Sequence, residues 1–248
     1  RRLGRILDIP YFGRIDFKEK KNGANILPIY IGIHTFYDSQ SKMNLIYDWR
    51  APISSMFYDY ELGEATYTSP VGEISGDVSL KRQYRIRKGK MEYMIESSLM
   101  VHDEILQKEL SNNADDKMRN IVTTIQREQN RIIRNEEAHI LIIQGVAGSG
   151  KTSIALHRIA YLLYTLKEDI SSKDILIISP NKVFGDYISN VLPELGEESV
   201  PETSMEQILS EVLENKYKYQ SFFEQVTELL GKTTQSFIER IKYKSSFD

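Results

Sequence analysis

The sequence predicts an α/β protein in which an antiparallel, β-rich N-terminal region is joined to a parallel-sheet domain and followed by helices. Three observations predict it. Short Tyr- and Ile-rich runs broken by turn residues fill the chain to about residue 97. Residues Gly145 to Thr152 read G-x-x-x-x-G-K-T between an apolar run and an amphipathic stretch. Beyond Ser204, apolar residues recur at three- and four-residue spacing. The expected divisions are 1–97, 98–203 and 204–248, the last being the start of an insertion.

In the first part, Tyr11 to Phe17, Leu27 to Phe36, Met43 to Trp49 and Ala65 to Thr68 are expected strands, separated by Asn-Gly, Asp-Ser-Gln-Ser and Leu-Gly breaks. The clearest hairpin joins Ser79–Arg87 to Lys90–Glu96 across Lys88-Gly89. A two-residue turn there sets Tyr84 opposite Tyr93, Ile86 opposite Met91, Arg85 opposite Glu92 and Lys81 opposite Glu96. The basic run Lys81 to Lys88 therefore has local acidic partners and reads as a solvated strand, with phosphate contact as the other reading. Asp48-Trp49-Arg50-Ala51-Pro52 holds the chain's single Trp and reads as an aromatic anchor with a packed Arg at a strand end.

From Ser98 to about Glu137 the spacing is helical, and within it lies Gln129. A Gln amide both donates and accepts, which matches the N6 and N7 edge of adenine. The apolar run from His139 to Ile143 is the expected strand leading into the loop. Wrapping backbone N–H groups around phosphate needs residues that accept positive φ and carry no Cβ, which Gly145, Gly148 and Gly150 supply. With them, Val146, Ala147, Ser149 and Ser153 complete the expected cradle for ATP. Lys151 is expected to reach the β and γ phosphates as the catalytic cation, and Thr152 to hold Mg2+. Ser153 to Leu166 is an expected helix in which His157 packs or caps, then Asp174 to Ser179 a strand and Val183 to Leu192 a helix. That alternation predicts the start of a doubly wound parallel sheet, whose ligands sit at the strands' carboxyl ends. Met205–Asn215, Gln220–Leu230 and Thr233–Tyr243 are the helices expected last.

Composition narrows the class. With 248 residues, 41% of them hydrophobic, the chain can bury a core, and the absence of Cys excludes disulfides and thiolate metal sites. No run of about eighteen apolar residues exists, so no membrane association is expected and the cytoplasm is the expected compartment. Net charge is −3, with a slightly basic front and an acidic back, which announces no dedicated nucleic-acid module. The first residue is Arg, and no apolar run after residue 152 closes in Asp or Asp-Glu. The expectation is a piece of a longer protein that binds nucleotide far better than it hydrolyses it.

Gln129, the loop Gly145–Thr152 and the Ile175–Lys182 segment together resemble the first motor domain of the UvrD/Rep-type superfamily 1 helicases, a RecA-like P-loop fold. More narrowly, Tyr11 to Phe17, Asp48 to Ser54, Leu80 to Gln83, Ala155 to Leu163 and Ser179 to Asn181 resemble the HelD branch, helicase-like ATPases that bind and recycle bacterial RNA polymerase. The resemblance implies that Gln129 reads adenine, that Lys151 and Thr152 serve phosphate and magnesium, and that the β-rich front elaborates the first motor domain. It implies bacterial RNA polymerase as partner, with single-stranded DNA as a second candidate. It also implies parts beyond this stretch: a coiled-coil arm, an acidic Walker B strand, and a second motor domain with an arginine finger. One departure stands out, because Ser179-Pro180-Asn181 occupies the place of a Thr-Phe-Thr-Asn-like strand-gripping loop, and Pro removes a backbone donor. Two other functions remain open, a true DNA helicase of repair and a nucleotide-gated interaction module with negligible turnover.

Overall fold

The computed structural model describes residues 2–21, 25–96, 127–180, 185, 188, 191–213, 217, 220, 222–231 and 239. They fall in two compact units, Arg1–Ile175 with Ile188–Val200, and Leu176–Tyr187 with Pro201–Asp248.

The first unit opens with helix α1 (Arg2–Asp8) and builds a seven-stranded sheet from β1 (Gly13–Glu19), β2 (Ile26–Gly32), β3 (Phe36–Asp38), β4 (Met43–Asp48), β5 (Gly63–Ser69), β6 (Gly72–Arg87) and β7 (Lys90–Glu96). Its order is β3-β4-β2-β1-β6-β5, with β7 also on β6, and every pairing is antiparallel except β2 with β4. Alternation along β1 and β2 turns Ile15, Phe17, Ile29 and Ile31 inward, and Met56 and Phe57 of α2 (Ser55–Asp59) are buried as well. Pro52 starts the short 3-10 turn that feeds α2, its fixed φ suiting a helical first position.

In the front region the sequence expectations hold for where strands lie and need correction in detail. Leu27–Phe36 is not one strand, because the backbone leaves the ladder over residues 33–35 and β3 pairs instead with β4. Strand β6 runs sixteen residues, β5 and then β7 lining one edge while β1 holds the other. The Lys88-Gly89 turn is as expected, both residues at positive φ (50° and 68°). Beyond it a bulge between Arg85 and Ile86 shifts the register by one. Ile86 still faces Met91, but Tyr84 faces Met94, Arg85 faces Tyr93 and Arg82 faces Glu96. The charge pairing survives in altered form: Arg82 meets Glu96 at 2.5 Å, and Glu92 lies 3.7 Å from Arg85 and 3.8 Å from Arg87. Lys81 turns inward, donating to the Tyr60 carbonyl at 2.9 Å above the Phe57 ring.

Of the helix expected over 98–137, residues 98–126 lie outside the described residues, and 127–133 are helical, here named α3. The His139–Ile143 run is irregular backbone with Ile140 and Ile142 largely exposed. A buried parallel strand needs a ladder on each side, and no partner for this run lies among the described residues. Helix α4 (Lys151–Thr165) follows the glycine loop and buries Ile154, Leu156, Ala160 and Leu163.

In the second unit, β8 (Ile177–Ser179) pairs in parallel with β9 (Glu202–Ser204), a strand without an alternating signature. Helix α5 (Met205–Val212) begins at a capping box in which Ser204 and Gln207 satisfy each other's backbone N–H. Helix α6 spans Phe222–Gly231, and the helix expected over Thr233–Tyr243 lies outside the described residues apart from Glu239. The described structure is thus mixed α/β with a largely antiparallel sheet.

Candidate nucleotide-binding site

The loop 145–150 shows why its glycines are glycines. Gly148 and Gly150 both take φ 81°, a left-handed conformation costly for any residue with a Cβ, and Gly150 is the N-cap of α4. A Cβ on Gly145 would collide with the Ser149 hydroxyl. The loop closes with Ser149 N–H on Val146 O at 3.2 Å, and α4 starts with Ile154 N–H on Gly150 O at 2.9 Å. The Lys151 ammonium donates to the carbonyls of Gly145 at 2.9 Å and Val146 at 2.7 Å. It is thereby held over the loop, on a helix N-terminus whose free N–H groups and dipole favour an anion. Thr152 and Ser153 fill the first turn.

Gln129 lies on α3, and its Nε2 stands 3.5 Å from where a Cβ on Gly150 would be. Arg158 of α4 fixes this approach by donating to Ile132 O at 2.8 Å. Asn130 reaches the other way, donating to Asp59 at 2.9 Å, and is itself an acceptor for Arg134 at 3.2 Å. The fold therefore brings the amide and the glycine loop together from positions twenty-one residues apart.

His157, one turn along α4, donates from Nδ1 to Ser153 O at 2.7 Å and meets the Trp49 ring edge-on at 5.6 Å. Burial pushes the imidazole below its ordinary range, against the pull of that hydrogen bond. It is a packing residue, as its sequence setting suggests.

Sequence reasoning missed the extent of the Asp48–Arg50 cluster. Arg50 is buried with Asp48, donating at 2.8 and 2.7 Å, and also pairs with Glu197 and stacks 4.7 Å from the Tyr164 ring of α4. Arg134 donates to the carbonyls of Trp49 at 2.6 Å and Arg50 at 3.1 Å. Strand β4, α3 and α4 are thus joined at one short segment. The only local signal was an Asp and an Arg flanking the single Trp; the partners lie up to 147 residues away.

A cavity of roughly 410 Å³ opens among these elements, and Gln129, Ser153, Trp49 and Tyr58 are among the residues that line it. Among the described residues no group of three or more His, Asp or Glu side chains is placed to hold a metal ion, and no helix is long and apolar enough to cross a membrane. A single hydroxyl, such as that of Thr152, would suit Mg2+, which is commonly held by substrate phosphates and waters with few protein ligands.

The profile of the N-terminal domain of DNA helicase IV HelD matches residues 1–132, more than half of the chain. The chain belongs to the DNA helicase IV HelD family. Residues 125–241 of this HelD-family chain match the UvrD/REP helicase N-terminal domain, so the phosphate loop and Gln129 lie in the helicase-like part. Relatives include the ATP-dependent DNA helicase PcrA from two strains of Staphylococcus epidermidis, each 40% identical over 83 residues. That stretch is 33% of this chain and 11% of each relative, so the chain matches about a tenth of their length.

Proposed function

We propose that this stretch is the ATP-binding part of a helicase-type motor ATPase of the cytoplasm whose nucleotide cycle remodels bacterial RNA polymerase. The observation that supports the nucleotide reading is the approach of the Gln129 amide to Gly150 at the start of α4. In this reading Gly145, Val146, Ala147, Gly148, Ser149, Gly150 and Ser153 wrap the phosphates with backbone N–H groups. Lys151 leaves the two loop carbonyls for the β and γ oxygens, and Thr152 offers its hydroxyl to magnesium. The magnesium ion supplies neutralisation of phosphate charge.

Polymerase as partner rests on the HelD-type motifs around Asp48 and Leu80. DNA unwinding in repair is the second reading, favoured by the likeness to proteins named DNA helicases and weakened by Pro180 in the loop after β8. The first test is calorimetry with Mg-ATP on the unmutated chain and on Lys151→Ala. Affinity should fall at least tenfold, since a charge-assisted contact to phosphate contributes about 1.5–3 kcal/mol. Unchanged affinity removes the nucleotide site. Strand displacement by the longer protein, compared with its release of stalled RNA polymerase, separates the two partner readings.

A further inference from the structure

We propose that the β-rich front region forms one wall of the nucleotide site, with Trp49 packing against the purine base that Gln129 reads, an inference that rests on the nucleotide reading above. The cavity that holds Gln129 also holds Trp49, Tyr58 and Phe12 from the front region and Ser153 and His157 from α4. Its roughly 410 Å³ falls within the range of small-molecule sites, and its make-up is that of a base pocket: aromatic walls with a few convergent polar groups. Its position fits as well, because the Gln129 amide approaches Gly150 and Ser153 directly follows Thr152, so a base held here would have its phosphates near Gly145–Thr152.

Trp49 is not free to drift from this place. Arg134 holds its carbonyl at 2.6 Å, and the His157 ring, tied to Ser153 O, stands against its indole. The residues on each side, Asp48 and Arg50, are buried and ion-paired. A base at Trp49 would therefore touch the segment that ties β4 to α3 and α4, and occupancy of the pocket bears on the front region as well as on the loop.

Trp49 is the only Trp of the chain, so its emission reports this contact without any label. Mg-ATP and Mg-tripolyphosphate would be titrated in parallel by calorimetry and by Trp emission. ATP should change the emission with the midpoint found by calorimetry, while tripolyphosphate competes with ATP yet leaves the emission unchanged. Trp49→Phe, and independently Phe12→Leu should the first variant fold poorly, should weaken ATP about five- to tenfold and tripolyphosphate less than about twofold. ATP binding that depends on Lys151 but leaves both the emission and the variants' affinity unchanged overturns this inference alone. Absence of any ATP binding overturns the nucleotide reading and this inference with it.

Discussion

Asp48 and Arg50, two residues apart, form a bidentate ion pair in which the side chains are 3% and 4% exposed. Such a pair is weak evidence for stability as a whole, because desolvation offsets the attraction, but breaking it from one side strands a buried charge. Arg50→Met should therefore destabilise the first unit by about 3–5 kcal/mol, read as a lower urea midpoint. The double variant Asp48→Asn with Arg50→Met should lose clearly less than the two single variants together. Strict additivity would show that the pair is not coupled.

Base selectivity follows from Gln129. If its amide reads adenine, Gln129→Ala should narrow the preference for ATP over GTP by about 1–3 kcal/mol and leave tripolyphosphate binding intact. Equal affinities for ATP and GTP in the unmutated protein would already exclude that role.

A pH effect follows from Lys81. Burial pushes its ammonium down to about 8 from 10.5. Between those values the unfolded chain binds a proton that the folded chain has released, so stability from this group rises with pH across that window and is penalised below it. The unmutated protein should thus gain stability relative to Lys81→Met as pH is raised from 8 to 10. Parallel denaturant midpoints for the two proteins across that range would contradict the burial argument.

Turnover is the fourth expectation. In the second unit, neither strand of the parallel pair ends in a carboxylate: β8 closes at Ser179 and β9 at Ser204. Magnesium positioning and water activation need such an acid, and an arginine finger alone supplies roughly 10³ to 10⁵ in rate. This stretch should bind Mg-ATP yet release phosphate near background, with single-stranded DNA giving no rescue. Robust DNA-stimulated hydrolysis would move the repair-helicase reading ahead of the polymerase-bound motor.

What could be read from sequence divides along physical lines. The Lys88-Gly89 turn and the loop Gly145–Thr152 were legible because backbone conformation there is dictated locally, by φ and by the lack of a Cβ. The bulge beside Ile86 was not, since one extra residue leaves the hydrophobic pattern of a strand almost unchanged. Nor was the Arg50–Glu197 pair, whose geometry only tertiary packing creates. At Lys81 the run Lys81 to Lys88 departs from a solvated strand, because Tyr60, just past α2, offers a carbonyl and Phe57 a ring there.

Strand β6 carries a kinetic consequence. It is the common partner of β1, β5 and β7, and its contact with β1 joins Gly13 to Gln83 and Glu19 to Gly76. During synthesis, β1 and β2 therefore emerge as a two-stranded hairpin, which is marginal in water on its own. They wait for some forty further residues before β6 arrives to cover the open edge. Closing that long loop comes before most of the sheet's reward, so assembly of the front region should set the pace of folding, and the waiting edge of β1 is where the nascent chain is most exposed to pairing with another copy.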